Sequence, residues 1–162
     1  MAFDAFVSID GIQGESADSK QTGRIEALSY KAGASQKVST TASSAGGATA
    51  ERADIAPFTF TKQVDSSSPK IFQACAAGVH FDRITISLYR AGGGDKVKFM
   101  EYELSNCIIC DVNITGGGDF PIESVSISFG KILLTYVKQN RQGGGAAGNI
   151  AAGWDLQKNC KV

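Results

Sequence analysis

The sequence predicts a mainly β fold: six to eight strands, mostly antiparallel, bending toward a barrel that carries one short helix. Three observations predict it. Apolar and polar residues alternate with period two through most of the chain. Glycine is frequent, at 19 residues against 3 prolines, as many turns and loop tips require. And one stretch, SSPKIFQACAAGVH from Ser67 to His80, breaks the alternation and takes up helical spacing.

The strands follow in order. Phe3, Ala5, Val7 and Ile9 alternate with Asp4, Ser8 and Asp10, with Phe6 the exception. DGIQGESADSKQTG is a polar, turn-rich connection, and RIEALSYK reads as a second strand. Phe58 and Phe60 alternate with Thr59 and Thr61; Ile84, Ile86 and Leu88 alternate with Thr85 and Ser87. GGGD at Gly92–Asp95 turns the chain into KVKFMEYEL. Ile108, Cys110, Val112 and Ile114 share one face of the next strand, and a second GGGD, Gly116–Asp119, returns the chain to IESVSISFGKILLTYV. There the apolar phase changes from odd (Val125, Ile127, Phe129) to even (Ile132, Leu134, Tyr136). A one-residue slip would turn every side chain to the wrong face. A bulge at Gly130–Lys131 accounts for the change and supplies the bend that closing a barrel needs.

The helix is expected over about 68–78. Ser68 suits the N-cap and Pro69 the first helical position. Ile71, Phe72, Cys75, Ala76 and Val79 form one stripe, and Gly78 suits a left-handed C-cap. About ten residues are too few to be helical alone. The helix must bury its stripe on a sheet or barrel; it reads as a structural brace, with a ring contact as a second role and no active site, and Phe72 as a structural, buried residue.

Between Lys31 and Asp54 lies KAGASQKVSTTASSAGGATAERAD, with Val38 its only large aliphatic residue. It is too long for an ordinary connection. Two readings stand: a surface loop, or an arm that orders against another subunit. The thermodynamics favour contact with a neighbour, since one aliphatic side chain cannot offset the entropy of ordering about twenty residues. Glu51, Arg52 and Asp54 would then pin its end by charge-assisted hydrogen bonds.

Composition narrows the classes. The 162 residues suit one domain spanning 1–162. Lys plus Arg and Asp plus Glu both number 16. Nothing in that balance points to nucleic acid or an acidic membrane, and self-association meets no net repulsion. MAFDAFVSIDGIQGE has neither a basic n-region nor an apolar h-region. No apolar run approaches the ~20 residues of a membrane span. The expectation is synthesis in the cytoplasm and any exit by a route that ignores a cleavable signal.

Catalytic constellations are scarce. Cys107 and Cys110 make a C-x-x-C, but an odd separation in a strand turns the two thiols to opposite faces. One histidine, His80, and no second C-x-x-C leave a zinc site short of ligands. His80 after the helix suits a C-terminal dipole partner. GESAD, Gly14–Asp18, lacks the G-x-S-x-G spacing of a nucleophile elbow and reads as a turn. The GGGD tracts lack the P-loop lysine. Trp154 suits a buried or interface position, or a sugar-stacking platform, the first two being the commoner case. No cofactor, metal or enzymatic activity is expected.

These pieces, in order, resemble a known family. MAFDAFVSIDGIQGESAD matches an opening strand and GES turn. FTFTKQVDSSSPKIFQACAAGVHFDRITISLYRAGG matches a central block: an F-T-K strand, a Ser-Pro-capped helix, G-x-H and a strand ending R-x-G-G. GWDLQKN matches a closing G-W segment. The chain resembles the Hcp (haemolysin-coregulated protein) family, which forms the inner tube of type VI secretion systems in Gram-negative bacteria. The resemblance implies a compact β-barrel of two antiparallel sheets with one short flanking helix. It implies hexameric rings stacked into a tube, a spike protein at the tip, a sheath outside, secreted effectors in the lumen, and export without a signal peptide. On that reading Gln36, Lys37, Val38, Glu51, Arg52, Asp54 and Trp154 are the candidate subunit-interface residues, and Gly130 is structural.

Two other classes stay open on the residues alone. Trp154 and the glycine loops suit a ligand- or carbohydrate-binding β-sandwich. GESAD suits a hydrolase, which Ser16→Ala would silence.

Overall fold

The structure, a computed structural model, describes residues 3–38, 50–90, 96–140 and 146–162. Its elements are β1 (Phe3–Ile9), β2 (Ile25–Ala27), β3 (Ser29–Lys31), β4 (Ala34–Ser35), β5 (Asp54–Ile55), β6 (Phe58–Gln63), α1 (Ser68–Ala77), β7 (His80–Arg90), β8 (Val97–Thr115), β9 (Ile122–Ser128), β10 (Lys131–Gln139), β11 (Ala146–Asp155) and β12 (Cys160–Lys161). Every described strand pair is antiparallel.

The 19-residue β8 organises the molecule. Its first half lies between β7 and β10, and its second half pairs with β9. From β7 the ladder runs to β1 and β2; from β9 it runs to β6 and β3. β2 and β3 are consecutive, so the ladder returns on itself through Leu28, whose N–H donates to Thr61 O at 2.7 Å. The segment expected as one strand, RIEALSYK, is thus a corner that changes sheets. β10, β11 and β12 continue one sheet past this closed barrel.

Phe58, Phe60, Ile25, Ile84, Ile86, Leu88, Leu104, Ile109 and Ile127 are wholly buried inside the barrel. Phe6, the exception to the β1 alternation, is buried as well, edge-on to Tyr89 with ring centroids 5.8 Å apart.

The phase change at Gly130 has a different cause from the one expected. Register is unbroken there: Ser105 pairs with Lys131 and Ile108 with Ser128. Three adjacent strands change phase at one level instead. On β7 the core residues are Phe81 and then Ile84; on β8, Leu104 and then Cys107; across the β9–β10 break, Phe129 and then Ile132. Asn106 on β8 takes φ 55°, the left-handed conformation asparagine tolerates. Gly130 N–H reaches both Ser105 O (2.9 Å) and Asn106 O (3.2 Å). A Cβ on Gly130 would stand 3.3 Å from Asn106 Cβ, so the glycine lets the corner close tightly. The extra residue lies in β8, where register shifts between Ile109 and Asp111. That bulge explains why Ile109 and Val112, three positions apart, both turn to the core while Cys110 between them is exposed, so Ile108, Cys110, Val112 and Ile114 do not share one face as expected.

Helix α1 also corrects an expectation. Ser67 is the N-cap, and no side chain caps it. Gly78, at φ 62°, forms the left-handed C-cap. The buried face is Ser68, Ile71 and Ala74, with Cys75 half-buried. Phe72 is 57% exposed, so it is not the buried brace. Ile71 and Phe72 sit about 100° apart around the helix axis, and the core takes Ile71.

Candidate assembly surfaces

The stretch from Lys31 to Asp54 begins and ends as a two-stranded ribbon. β4 and β5 pair Ala34 with Ile55 and Ser35 with Asp54, and Val38 bridges Ala50. The Gln36 side-chain amide donates to Glu51 O, and Glu51 N–H donates to Lys37 O at 3.2 Å. Gln36, Lys37, Val38, Glu51, Arg52 and Asp54 therefore come together on one exposed ribbon. Residues 39–49 lie outside the described residues, as does the first GGGD tract. The two legs satisfy much of each other's backbone, a source of order the sequence reading did not foresee. A lone two-stranded ribbon is still marginal in water. Arg52 fastens its root, donating from Nη2 to Leu156 O at 2.9 Å. Leu156 N–H in turn donates to Gly130 O at 2.8 Å.

Trp154 lies by the ribbon's root. It is half-buried on β11, opposite Ile132, and packs against the core. With Ile132, Leu134 and Ala152 it forms one wall of an apolar slot of about 350 Å³. Ala32, Gly33, Ala34 and Ile55 at the ribbon's root form the other wall. Tyr102 lies at its base, tilted against Phe58 with centroids 5.2 Å apart. Burial, with Tyr30 beside it, pushes the Tyr102 hydroxyl up to about 12. The slot's lining is almost wholly apolar, which suits an apolar side chain rather than a sugar.

The chemistry-bearing side chains are scattered. Ser16 is buried in a turn, its Oγ accepting from Asp18 N–H at 3.3 Å. The same turn explains Gly14: a Cβ there would lie 2.5 Å from Arg24 O. His80 is exposed at the start of β7, in a different cleft beside Asn106 and Gln157. No group of three or more His, Cys, Asp or Glu among the described residues is placed to hold a metal ion. Cys107 is buried and Cys110 exposed, so the two thiols do face apart. Burial pushes the Cys107 thiol up to about 11.

One cluster escaped the sequence reading. Lys62 is wholly buried on the Phe58–Phe60 face of β6, and Glu123 wholly buried on β9. Lys62 Nζ lies 3.0 Å from Glu123 Oε2 and 2.9 Å from Asp65 Oδ1, and donates to Ser68 Oγ at 3.1 Å and Gln63 O at 3.0 Å. Ser68 Oγ donates to Glu123 Oε2 at 2.6 Å and accepts from Asp65 N–H at 3.0 Å. Asp65 Oδ1 accepts from Ser67 N–H at 2.8 Å. The hydroxyl expected to cap the helix instead ties its first turn to the barrel. The only sequence signal was a lysine in phase with two core phenylalanines.

Self-pairing legs thus stand beside an apolar slot, with the titratable groups named above dispersed over the barrel. The comparisons place it. Residues 6–136 match the family described as "Type VI secretion system effector, Hcp", and the chain belongs to that family. Protein hcp1 of Pseudomonas aeruginosa is 29% identical, with 100% of each chain covered. The crystal structure of Hcp1 from Salmonella typhimurium superposes with a TM-score of 0.80 at 30% identity, covering 100% of both chains. A structure described as that of a type six secretion system protein reaches 0.90 at 29% identity, covering 99% of this chain and 100% of that one. The protein is a tube subunit of a type VI secretion system. No helix among the described residues is long and apolar enough to cross a membrane.

Proposed function

We propose that the protein forms hexameric rings that stack into the inner tube, without enzymatic activity of its own. The tube would hold secreted effectors in its lumen, carry a spike protein at its tip and run inside a sheath. It would assemble in the cytoplasm and leave without a cleavable signal peptide. The observation that carries this reading is the β4–β5 ribbon: an exposed, marginal element rooted on Leu156, beside an apolar slot, in a member of the Hcp family. A contact with the next subunit or the next ring supplies the order that the ribbon lacks alone. Gln36, Lys37, Val38, Glu51, Arg52, Asp54 and Trp154 are the proposed contact residues. Zero formal net charge lets copies approach without mutual repulsion.

Light scattering tests it. The expected mass is six times the 17.0 kDa chain, with electron micrographs showing rings and short stacks. A strictly monomeric protein at tens of micromolar and moderate salt would overturn it.

A further inference from the structure

Among the described residues, an apolar flank and an apolar slot of opposite shape stand open to solvent. The convex one is a flank of α1. Phe72 and Ala76 fall at i and i+4 and share one flank of the helix, Val79 follows just past the Gly78 C-cap, and all three are exposed. Ile71 and Ala74 face the barrel, and among the described residues this flank is left exposed. The concave feature is the slot between the ribbon root and β10–β11. Its walls carry Ala32, Gly33, Ala34 and Ala152, and such small residues let an inserted side chain approach the backbone closely. Its apolar lining continues outward along the same sheet face to Tyr136 and Ile150, paired with each other and 41% and 54% exposed.

The two features sit at opposite halves of β8. Helix α1 runs directly into β7 at His80, which pairs with Ile108. The slot lies at Tyr102, which pairs with Leu134. One copy therefore cannot bring its own ridge to its own slot, but a second copy can. A contact between two different patches is head-to-tail, the kind that generates a closed ring when the rotation per subunit closes.

We infer that Phe72, at the head of the α1 ridge, inserts into the apolar slot of the adjacent copy, between Ala34 and Trp154. This rests on the ring reading above and names the surfaces that close the ring. An aromatic side chain in a desolvated pocket is the common anchor of such interfaces.

A photo-crosslinking phenylalanine analogue placed at position 72 tests the pairing. Irradiation is expected to yield crosslinked dimers and higher rungs. Mass spectrometry of the digest should join residue 72 to peptides containing Ala34, Leu134 or Trp154 of another copy. Phe72→Ala, and Ala152→Phe to fill the slot, should each shift the ring–monomer midpoint about tenfold or more to higher concentration. Both positions are exposed in the subunit, so each variant should keep the parent's melting temperature as a monomer. Rings that form normally while residue 72 crosslinks elsewhere, or to its own chain only, would overturn the pairing and leave the ring reading standing. A parent that stays monomeric overturns both.

Discussion

Lys62 Nζ and Glu123 Oε2 stand 3.0 Å apart with neither side chain reaching solvent. An ion pair this deep stabilises little against an apolar replacement, because desolvating both ions offsets their attraction. Removing one partner is different, since it strands the other charge. Glu123→Ala or Lys62→Ala should destabilise by about 3–5 kcal/mol. The double change Lys62→Met with Glu123→Leu should lose less than either single truncation. Denaturant unfolding of the three variants checks the order. A double variant worse than both singles would show that the pair contributes net stability.

Asp65 sets an acid limit on the same cluster. Burial alone would raise its carboxyl, but hydrogen bonds from Lys62 and Ser67 outweigh that and hold it below its ordinary 3.8. A carboxylate with a lowered folded value stabilises the fold above its unfolded value, and that contribution fades as pH falls through the folded one. The melting temperature should therefore fall below about pH 4. In Asp65→Asn the acid limb should be shallower and the plateau at neutral pH lower. Parallel profiles for parent and variant between pH 5 and 2, at fixed salt, would rule out this role.

Ile71 and Phe72 separate packing from contact. Ile71 is wholly buried, so Ile71→Ala should cost about 2–5 kcal/mol. Phe72→Ala, at an exposed site, should change subunit stability by no more than about 0.5 kcal/mol. Both are measured by urea unfolding at a concentration where the chain is monomeric. A large loss at Phe72 would mean that the helix turns its other flank to the barrel.

The reasons for these differences are physical. Period-two alternation made β1, β6 and β7 legible because one face of each carries the large core side chains, although Phe6 on β1 and Ser87 on β7 are buried on the opposite face. The helix was legible from Pro69 and Gly78, but its face was not. Ile71 and Phe72 are both large and apolar, and only the position of β8 decides between them. The phase change at Gly130 was visible, yet its cause lay in the neighbouring strands, at Asn106 and between Phe81 and Ile84. Within a single strand a local bulge and a shared corner leave the same pattern. Lys62 was hidden because alternation treats a lysine as solvent-facing, and its partners Ser68 and Glu123 are 6 and 61 positions away. The ribbon was read as a segment without internal partners because Gln36 and Glu51 are brought together only by pairing across 15 positions.

The ribbon's root gives the last test. Arg52 holds it through Leu156 O at 2.9 Å, and Leu156 is itself held by Gly130 O. Arg52 is exposed, so losing this bond should leave the barrel core untouched. Arg52→Ala should melt within a degree or two of the parent. Its effect should appear first in hydrogen exchange. Amides around Ser35, Glu51 and Ala56, which close the ribbon and its base, should exchange faster, while β7 and β8 amides keep their protection. Its effect should appear second in assembly, because a looser ribbon loses more entropy when it orders against a neighbour. Stacking, followed by sedimentation and electron microscopy at several concentrations, should then need more protein than the parent does. Faster exchange without any change in stacking would confine the ribbon to a surface feature and remove it from the assembly contacts.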